Sequence, residues 1–410
     1  MPFLYTFGIA LYSLLIRLAA PFNPKAREWV AGRKGWKNKL SGAFQDTDKI
    51  VWFHAASLGE FEQGRPVMEA FRRAFPNHKI LLTFFSPSGY EQMKDYVGAD
   101  VVMYLPADCS RNAKYFVRIL KPAMAVFIKY EFWYNYLTEL NRSKTPVIFI
   151  SALFRSGQPF FKWYGGWFRK KLRNINHFYV QDEHSADKLK SIGIDQITIS
   201  GDTRFDRVAD ILASKRGNAD IEKFCKGYSV LLAGSTWPPD EEILAALPAR
   251  FPELKIIIAP HEVKEERIRQ LAATMKINVA RFTRDDPASW PDKQVLILDT
   301  IGILSSVYRY ADIAYIGGAF ATGLHNIQEP AVNGMPVIFG PKYDKFREAV
   351  ALVRDGGAYS INSSSEMLEL LDDLLYDTVT YNAACEVSKK YILEQTGATE
   401  KILNGIRTYL

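Results

Sequence analysis

The chain of 410 residues contains only three cysteines, Cys109, Cys225 and Cys385. Their number is odd and their positions are scattered, which argues against a disulfide framework and predicts a reducing compartment. The sequence also lacks a CxxC pair and any cysteine–histidine spacing typical of a metal site. It has no short repeat and no low-complexity tract, which excludes repeat architectures and largely disordered chains.

Acidic residues are scarce in two segments that are rich in lysine and arginine. The net charge is +7, and between Lys25 and Lys39 the only acid is Glu28. A second basic run extends from Lys162 to Arg173. Local basic clusters of this kind favour an anionic surface or substrate, either a nucleic acid or an acidic lipid.

Charged residues are nearly absent from the N-terminus, where the apolar run Phe3–Ala20 is interrupted only by Arg17. No cation precedes the run, which argues against a cleaved signal peptide. About 14 apolar residues precede Arg17, or about 18 in all if its side chain extends to the interface. A basic segment follows directly, as expected before a cytosolic body. We expect an uncleaved membrane anchor that spans the bilayer or lies in its interface; a buried helix of a soluble core is the alternative.

Beyond residue 48, short apolar runs alternate with amphipathic segments, the pattern of doubly wound parallel sheets. The alternation restarts after a polar, charged stretch between Gly201 and Tyr228. The length and the 48% apolar content suffice for two cores. The predicted strands are 50–53, 79–83, 101–104, 123–128, 147–150, 177–180 and 196–199, then 230–233, 256–259, 295–298, 313–316 and 337–339.

The sequence therefore predicts three regions. Residues 1–40 form the apolar and basic segment, residues 41–206 a first Rossmann-like domain, and residues 207–410 a second one with a closing C-terminal helix. Two such domains enclose a cleft, and ligands bind at the carboxyl ends of the parallel strands.

The most informative segment is 314–341, which reads as strand, glycine-rich loop, helix start and strand. Its loop carries Gly317, Gly318, His325 and Asn326, and the helix begins near Glu329. Bare backbone N–H groups at the positive end of a helix suit a phosphate. An ordinary strand–helix–strand turn is the alternative, but such a turn does not need the polar trio of histidine, asparagine and glutamate.

Loops after other predicted strands carry further candidates. In the segment HAASLGE, Glu60 is a candidate general base, whereas a capping box with Ser57 is the structural alternative. The turn 83–89 binds a ligand or only shapes the chain. Glu131 lies in 129–135 among aromatic residues, which suits a sugar or a lipid headgroup; a structural ion pair is the alternative.

Two more loops suit an anion. Arg204 carries a permanent charge suited to phosphate or carboxylate, and a salt bridge to Asp202 or Asp206 is equally compatible. The segment 234–236, Gly-Ser-Thr before a helix, is a plausible anion site. Residues 160–171 mix tryptophan and tyrosine with cations. They match an interfacial membrane helix or a single-stranded nucleic-acid site, and the apolar N-terminus favours the membrane.

In this order, these segments resemble the 3-deoxy-D-manno-octulosonic acid (Kdo) transferases of lipopolysaccharide synthesis (the WaaA/KdtA family), over nearly the whole chain. The family has the GT-B fold, two Rossmann-like domains facing across a cleft. HAASLGE matches the segment of the family's catalytic glutamate, and TFFSPSG and GDTRFD match two further loops. The residues of the family's most specific segment that stand in place are His325, Asn326, Glu329, Pro330, Gly334, Pro336, Gly340 and Pro341.

The sequence departs from the family pattern at several positions. Lys129 replaces the first acid of the family's ETELWPN segment, and Tyr134 replaces its proline. The family's APRHPER becomes Ala-Pro-His-Glu at 259–262, without the arginine. Ala319 and Leu324 stand where the family has serine and glycine.

The resemblance implies an inverting transfer of Kdo from CMP-Kdo to the lipid A precursor, without a metal or other cofactor. Glu60 and Glu131 would be catalytic. The implied setting is the cytoplasmic face of the inner membrane, with the membrane surface and no nucleic acid as a partner. The implied donor-binding residues are Arg204, Gly234, Ser235, Thr236, Pro260, His261, Gly317, Gly318, His325, Asn326, Ile327, Gln328 and Glu329. The implied acceptor-binding residues are His54, Ser57, Gly59, Thr83, Ser86, Ser88, Lys129, Lys162 and Arg169.

Two alternatives stay open at this stage. One is another GT-B enzyme with a UDP-sugar donor, such as a lipid-disaccharide synthase or a sugar epimerase. The other is a membrane-surface protein on a non-catalytic GT-B scaffold. The number of Kdo units transferred is not fixed by the sequence.

Overall fold

A computed structural model describes residues 2–213, 217–321 and 323–410. The chain forms two compact units: one contains the chain up to Asp206 together with Thr396–Leu410, the other contains Arg207–Gln395. The expected boundary after residue 206 coincides with this division. Part of the expected linker, residues 214–216, lies outside the described residues.

The first unit is built on a seven-stranded sheet flanked by helices. All of its strand pairs are parallel, in the order β3-β2-β1-β4-β5-β6-β7. Its elements up to the boundary are α1 (Pro2–Ala19), α2 (Pro24–Ala31), α3 (Trp36–Ser41), β1 (Lys49–Ala55), α4 (Leu58–Ala74), β2 (His78–Phe84), α5 (Pro87–Met93), β3 (Val101–Tyr104), α6 (Ser110–Leu120), β4 (Met124–Ile128), α7 (Tyr134–Arg142), β5 (Val147–Ala152), a 3₁₀ helix (Pro159–Phe161), α8 (Gly166–Leu172), β6 (His177–Val180), α9 (Glu183–Lys190), β7 (Ile197–Ile199) and α10 (Thr203–Ala213).

The second unit repeats this plan with the strand order β10-β11-β9-β8-β12-β13-β14, again all parallel. Its elements are α11 (Ala219–Cys225), β8 (Val230–Thr236), α12 (Pro238–Leu244), α13 (Leu247–Arg250), β9 (Lys255–Pro260), α14 (Glu265–Thr274), β10 (Ala280–Arg281), a 3₁₀ helix (Pro287–Asp292), β11 (Val295–Ile297), α15 (Leu304–Val307), a 3₁₀ helix (Tyr308–Tyr310), β12 (Ile313–Ile316), α16 (Gln328–Val332), β13 (Val337–Phe339), α17 (Arg347–Asp355), β14 (Ala358–Ser360), α18 (Ser364–Tyr376) and α19 (Thr378–Glu394).

The expected pair of doubly wound parallel sheets is confirmed, and every predicted strand is present. The central strands β1, β4, β8 and β9 are almost wholly buried, because helices cover both faces of a parallel sheet and its strands become continuous apolar runs. The edge strands β10 and β14 were not predicted, since they are only two and three residues long and carry no apolar run.

The C-terminal segment belongs to the first unit, whereas the sequence placed it in the second domain. It contains α20 (Ala398–Ile406) and a final 3₁₀ helix (Arg407–Tyr409). The Asp206 carboxylate accepts hydrogen bonds from the N–H groups of Gly397, at 2.6 Å, and Thr399, at 2.7 Å. A carboxylate at the N-terminus of a helix is favourably placed. The chain therefore crosses back, and α20 packs against α4 of the first unit.

The N-terminal helix α1 is joined to the body of the first unit by one buried carboxylate. The Tyr5 hydroxyl donates to Asp108 at 2.6 Å, and Asp108 also accepts from the N–H groups of Asn135 and Tyr136. Asp108 is fully buried, and burial raises the pKa of its carboxyl group to about 6. Asp108 therefore caps α7 and fixes one side of α1.

The opposite side of α1 is exposed and apolar. Among the described residues, no single helix has the length and hydropathy needed to cross a membrane; α1 from Phe3 onward and α2, bent by 119°, pass only as a pair on length and composition. The predicted anchor therefore stays a prediction. The large exposed side chains of α1 are Phe3, Leu4, Phe7, Leu11, Tyr12, Leu14, Leu15 and Leu18.

The predicted basic cluster 25–39 does not act only as a charged surface. Arg33 donates to the carbonyl groups of Trp29, Phe85 and Leu105, at 3.1, 2.7 and 2.8 Å. Lys39 donates to a carbonyl of β3. These two cations hold α2 and α3 against the sheet, which leaves Lys25, Arg27, Lys34 and Lys37 as the cluster's other cations.

Candidate active site

Both units place their candidate residues where the strand order reverses. In the first sheet β1 lies beside β2 and β4, and the chain moves outward from there in opposite directions; β8, between β9 and β12, has the same position in the second sheet. Ligands of such sheets bind outside the carboxyl ends of the strands at this switch point. The segment after β1 carries Glu60, and the segments after β8 and β12 carry the glycine-rich candidates.

Glu60 lies in the first turn of α4 and is half-buried. Ser57 is the residue preceding the helix, but its side chain accepts no hydrogen bond from the helix backbone. Its hydroxyl donates instead to the Glu60 carboxylate in a short contact. The capping box is therefore not formed, and Ser57 fixes the orientation of a carboxylate at the switch point.

His54, predicted to bind the acceptor, is fully buried instead. The Trp133 indole donates to His54 Nε2 at 2.8 Å, and His54 Nδ1 lies 3.1 Å from the Thr83 carbonyl. Because indole nitrogen only donates and a carbonyl only accepts, the ring must carry its proton on Nδ1. His54 and Thr83 thus support the site from beneath, which corrects their predicted role as acceptor contacts.

Glu131 lies on the segment after β4, next to this histidine. One of its carboxylate oxygens lies 3.9 Å from His54 Nε2, and the residue is half-buried. Lys129 just before it has φ of +70°, a conformation rare for a residue with a side chain. Backbone strain of this kind concentrates at functional sites. The segment after β4 thus places a second carboxylate near the switch point of the first sheet.

The turn between β2 and α5 is an exposed hydroxyl surface. Ser86 precedes α5, and its hydroxyl lies 2.8 Å from that of Ser88. The Ser86 N–H donates to the carbonyl of Ala56 at 2.7 Å, which joins this turn to the segment of Glu60. Gly59 is exposed, and an added Cβ there would meet only the Ser57 hydroxyl at 4.0 Å. These residues place hydroxyl groups and accessible backbone next to Glu60 at the switch point.

Lys162 and Arg169 line a cationic cavity of about 630 Å³ that also includes Arg173 and Lys188. Arg169 donates to the carbonyls of Phe160 and Lys162, at 3.1 and 2.9 Å. Neighbouring Trp163 is 92% exposed. The predicted interfacial segment is thus not one helix: the exposed indole of Trp163 lies between the 3₁₀ helix Pro159–Phe161 and the short helix α8, beside clustered cations.

In the second unit, Asp240 is the centre of the glycine-rich site. Its buried carboxylate accepts from Gly318 N–H at 3.0 Å, Trp237 N–H at 2.8 Å and the Tyr315 hydroxyl at 2.7 Å. One side chain therefore connects the segment after β8 with the segment after β12. Sequence reasoning did not single out Asp240, and the only local signal was its place in the first turn of a helix.

The two glycines after β12 are required by packing within the unit. A Cβ at Gly317 would lie 2.7 Å from Cα of Thr236 and 2.8 Å from the Asp240 carboxylate. Gly318 has φ of +95°, and a Cβ there would collide with the carbonyl of Gly323. The glycine pair was predicted to bind a phosphate. In the structure, the absence of side chains at these two positions allows three chain segments to approach closely.

Three aromatic rings stack beside Gly318. The Trp237 and His261 rings lie 4.6 Å apart, and the His261 and His325 rings 4.7 Å apart, in nearly parallel planes. The Trp237 indole donates to His325 Nε2 at 3.1 Å. His261 is exposed and His325 half-buried. The structure thus brings two predicted donor residues together with a tryptophan that sequence reasoning missed.

Ser235 and Thr236, at the end of β8, differ in burial and in their contacts. Thr236 is buried, and its hydroxyl donates at 3.0 Å to Glu241, which is paired with Arg267. Ser235 is half-buried with φ of +55°. Of the predicted anion-binding trio Gly234, Ser235 and Thr236, only Ser235 therefore offers a hydroxyl that is not already buried.

Glu329 is held in place by two donors. Ser305 donates to one of its oxygens at 2.8 Å and Asn326 to the other at 3.2 Å. Asn326 also accepts from the N–H of Gln328. The polar trio His325, Asn326 and Glu329 thus lies on one short segment, as predicted, with Ser305 as an additional partner.

Several residues predicted to bind the donor have buried side chains. Gln328, Ile327 and Pro260 are buried, and both amide atoms of Gln328 lack a hydrogen-bond partner among the described residues. The helix α16 has only five residues, too few for the dipole on which the predicted phosphate site depended. The predicted donor residues of the second unit that are not buried are Ser235, His261, His325, Asn326 and Glu329.

Arg204 forms the salt bridge to Asp202 that the sequence allowed as an alternative. Its guanidinium donates to Asp202 at 2.9 and 2.7 Å, and the residue belongs to the first unit. Within the described ranges, no group of three or more histidine, cysteine, aspartate or glutamate residues is placed to hold a metal ion.

Comparison with known proteins finds a family model that matches part of the chain and relatives that match most of it. Residues 30–207 match the family model described as 3-deoxy-D-manno-octulosonic-acid transferase (kdotransferase). A 3-deoxy-D-manno-octulosonic acid transferase of Haemophilus influenzae is 25% identical over 409 residues, covering 96% of this chain and 94% of the relative. Relatives of the same name from Chlamydia trachomatis serovar A and Aquifex aeolicus are 27% and 26% identical, covering 86% and 79% of this chain and 84% and 86% of the relatives.

Solved structures with the same architecture have little sequence in common with this chain. A UDP-GlcNAc 2-epimerase from Neisseria meningitidis bound to UDP-GlcNAc superposes with a TM-score of 0.63 at 14% identity, covering 88% of this chain and all of that one. A putative UDP-N-acetylglucosamine 2-epimerase from Listeria monocytogenes gives 0.62 at 10% identity, covering 88% and 97%. At these identities the likeness is one of fold, which is GT-B-like.

Proposed function

We propose that the chain belongs to the 3-deoxy-D-manno-octulosonic acid (Kdo) transferase family and transfers Kdo from CMP-Kdo to the lipid A precursor, an acylated glucosamine disaccharide bisphosphate. The proposal rests on the family model matched by residues 30–207 and on relatives of that name that are 25% and 27% identical to this chain. The chain is a glycosyltransferase by its family. The observation that carries the proposal is the coincidence of the family match with carboxylates at the switch point of the first sheet. The finer assignments below are supported by the geometry of each unit.

In the first unit, Glu60 is proposed as the general base. Inverting transfer requires a group that takes the proton of the acceptor hydroxyl as this oxygen attacks the anomeric carbon. The half-buried Glu60 carboxylate is oriented by Ser57, and Glu131 lies on the adjoining loop. The exposed hydroxyls of Ser86 and Ser88 supply polar contacts for the acceptor sugar.

In the second unit, the segments around Ser235, His261 and His325 are proposed to bind CMP-Kdo. The leaving CMP gains charge on its phosphate, which hydrogen-bond donors held in fixed positions stabilise. Glu329 is oriented by Ser305 and Asn326 and is suited to accept from the ribose hydroxyls. We propose that no metal is needed; unchanged turnover in a chelator would support this, and loss that magnesium restores would oppose it.

The membrane is the proposed location of the acceptor. The exposed apolar side of α1 and the exposed Trp163 beside Lys162 and Lys188 combine the apolar and cationic surfaces that bind an anionic bilayer. We propose that the chain lies at the cytoplasmic face of the inner membrane, anchored by α1.

The base is tested by Glu60→Gln, with Glu62→Gln on the same helix as the control. Glu60→Gln should fold, bind CMP and lose transfer by about 10²–10⁴-fold, the usual contribution of a general base. Glu62→Gln should keep most of its activity, because Glu62 pairs with Arg65 on the helix surface. Transfer at the wild-type rate in Glu60→Gln would remove Glu60 from the mechanism.

The donor is tested by ranking CMP against UDP in a thermal-shift titration of the full chain. Stronger stabilisation by CMP supports the proposal, and stronger stabilisation by UDP would favour a UDP-sugar enzyme. Mass spectrometry after incubation with CMP-Kdo and the lipid A precursor identifies the product. CMP binding without any product would favour a non-catalytic scaffold.

Membrane binding is tested by sedimentation with vesicles of anionic or neutral phospholipid. Lys162→Gln should weaken binding to anionic vesicles by about fivefold, since one cation near such a surface contributes about 1 kcal/mol. The exposed Lys264 of the second unit provides the control, Lys264→Gln. Equal binding of both variants would oppose the proposed contact of Lys162 with the membrane.

A further inference from the structure

The stacked rings of the second unit determine where His325 carries its proton. Indole Nε1 has a hydrogen and no acceptor lone pair, so it can only donate. Trp237 Nε1 lies 3.1 Å from His325 Nε2, and the histidine must therefore offer a lone pair on Nε2. A neutral ring with a bare Nε2 carries its hydrogen on Nδ1.

The surroundings of His325 also disfavour its cationic form. Partial burial lowers the pKa of His325, and the nearby His261 lowers it further, whereas Asp240 acts in the opposite direction. A proton on Nε2 would in addition face the indole N–H of Trp237 and break their hydrogen bond. The ring is thus held neutral by its contacts with two neighbouring loops.

The remaining nitrogen of His325 is directed away from this packing. A Cβ at Gly318 would lie 2.8 Å from Cδ2 and 3.2 Å from Nε2 of His325, so the Cδ2–Nε2 edge faces the glycine. Nδ1 is on the other side of the ring. Within the described ranges no hydrogen bond involves Nδ1, and the residue is half-buried.

We propose that Trp237 is a positioning residue that holds His325 as the neutral Nδ1–H tautomer, so that His325 donates a hydrogen bond from Nδ1 to an anionic oxygen of the donor nucleotide. His325 then acts as an oriented neutral donor and neither as a cation nor as a proton acceptor. The identity of the ligand rests on the proposed function, whereas the tautomer follows from the protein alone. The Trp133–His54 pair of the first unit has the same arrangement. There the histidine is fully buried, and its Nδ1 already contacts the carbonyl of Thr83.

The tautomer is measured without any ligand, by long-range ¹H–¹⁵N NMR of the full chain labelled at its six histidines, at pH 7. The signal that disappears in His325→Asn identifies His325. A single Nδ1–H form is expected in the wild type. Trp237→Phe keeps an aromatic ring over His261 and removes the N–H, and it should give a mixture of tautomers with a raised pKa of His325. An Nε2–H or doubly protonated ring in the wild type would overturn the proposal.

A second indole of the same unit supplies the control. Trp290 is buried, and its N–H donates to the carbonyl of Asp285. Trp290→Phe should lower stability without changing the His325 tautomer. An equal effect of both substitutions on the tautomer would show that Trp237 acts only through the general packing of the unit.

The donated hydrogen bond is tested by calorimetric titration with CMP, using two amides at position 325. Asparagine places its NH₂ group near the position of Nδ1, whereas glutamine places its amide near Nε2. His325→Asn should therefore bind CMP nearly as well as the wild type, and His325→Gln about tenfold or more weaker, the cost of a lost hydrogen bond to a charged group. Equal losses in both variants would overturn the ligand part of the proposal. Failure of the wild type to bind CMP would instead overturn the proposed function, while the NMR result would still decide the tautomer.

Discussion

Asp240 gives the sharpest prediction, because its one buried carboxylate accepts three hydrogen bonds in the glycine-rich region of the second unit. It accepts from the N–H groups of Gly318 and Trp237 and from the hydroxyl of Tyr315. In Asp240→Ala these donors lose their acceptor. Two of the donating residues, Gly318 and Tyr315, are buried, and each buried donor left unpaired costs about 1–3 kcal/mol. We therefore expect a local loss of about 2–6 kcal/mol; the N–H of the partly exposed Trp237 can find water.

Hydrogen exchange of the full chain measures this loss where it occurs. Each 1.4 kcal/mol corresponds to about tenfold in an opening equilibrium, so the amide of Gly318 should exchange at least about tenfold faster in Asp240→Ala. The matched variant Asp240→Asn keeps one acceptor oxygen and should show a smaller increase. Amides of β1 (Lys49–Ala55) belong to the other unit and should not change.

Binding of CMP to the same variants connects this prediction to function. If the carboxylate sets the position of the glycine loop, CMP affinity should fall in the order wild type, Asp240→Asn, Asp240→Ala. Unaltered exchange at Gly318 in Asp240→Ala would refute the reasoning, because it would show that the three donors find other partners at no cost.

Three further predictions concern stability. The pKa of Asp108 is raised by burial to about 6 from 3.8. Its contribution to the free energy of unfolding is therefore fully present below pH ~4, and it decreases by about 3 kcal/mol as the pH rises past ~6. Asp108→Asn should abolish this pH-dependent decrease, measured by urea unfolding. Gly318→Ala should destabilise the second unit by about 1–3 kcal/mol, because the positive φ and the Gly323 carbonyl both oppose a Cβ. Gly227→Ala, with φ of +83° and no atom within 4 Å of the new Cβ, separates the cost of backbone strain from that of the collision. Gln328→Met should leave stability unchanged or raise it, since it removes a buried amide without partners; a loss above about 2 kcal/mol would reveal a polar partner.

Much of the architecture could be predicted because it is local in the chain. Strands such as β4 and β9 are continuous apolar runs, and burial on both faces of a parallel sheet demands such runs. The break between the helices α12 and α13 has a local cause as well. Pro248 lies at the start of α13, and proline removes a helical hydrogen bond and clashes with the preceding turn.

The candidate site was predicted less completely, because the type of a residue does not reveal whether its side chain points towards a ligand or into the protein. Glu60, Glu131 and His325 lie in the segments that were predicted to carry the site, and none of the three is buried. His54, Thr83 and Gln328 share those segments, yet their side chains are buried. A loop residue after a strand faces either the ligand or the sheet beneath it, and the pattern of the sequence does not distinguish the two.

The sequence alone determined where the strands lie along the chain. It also determined that the segment 314–341 is rich in glycine and that Glu60 follows the first strand. Only the tertiary structure decided which distant side chains meet. Trp133 contacts a histidine 79 residues away, and Trp237 one 88 residues away. These pairs form because β1 adjoins β4, and β8 adjoins β12, at the centres of their sheets. Such neighbours are set by the packing of whole sheets and helices, and no local propensity of the chain encodes them.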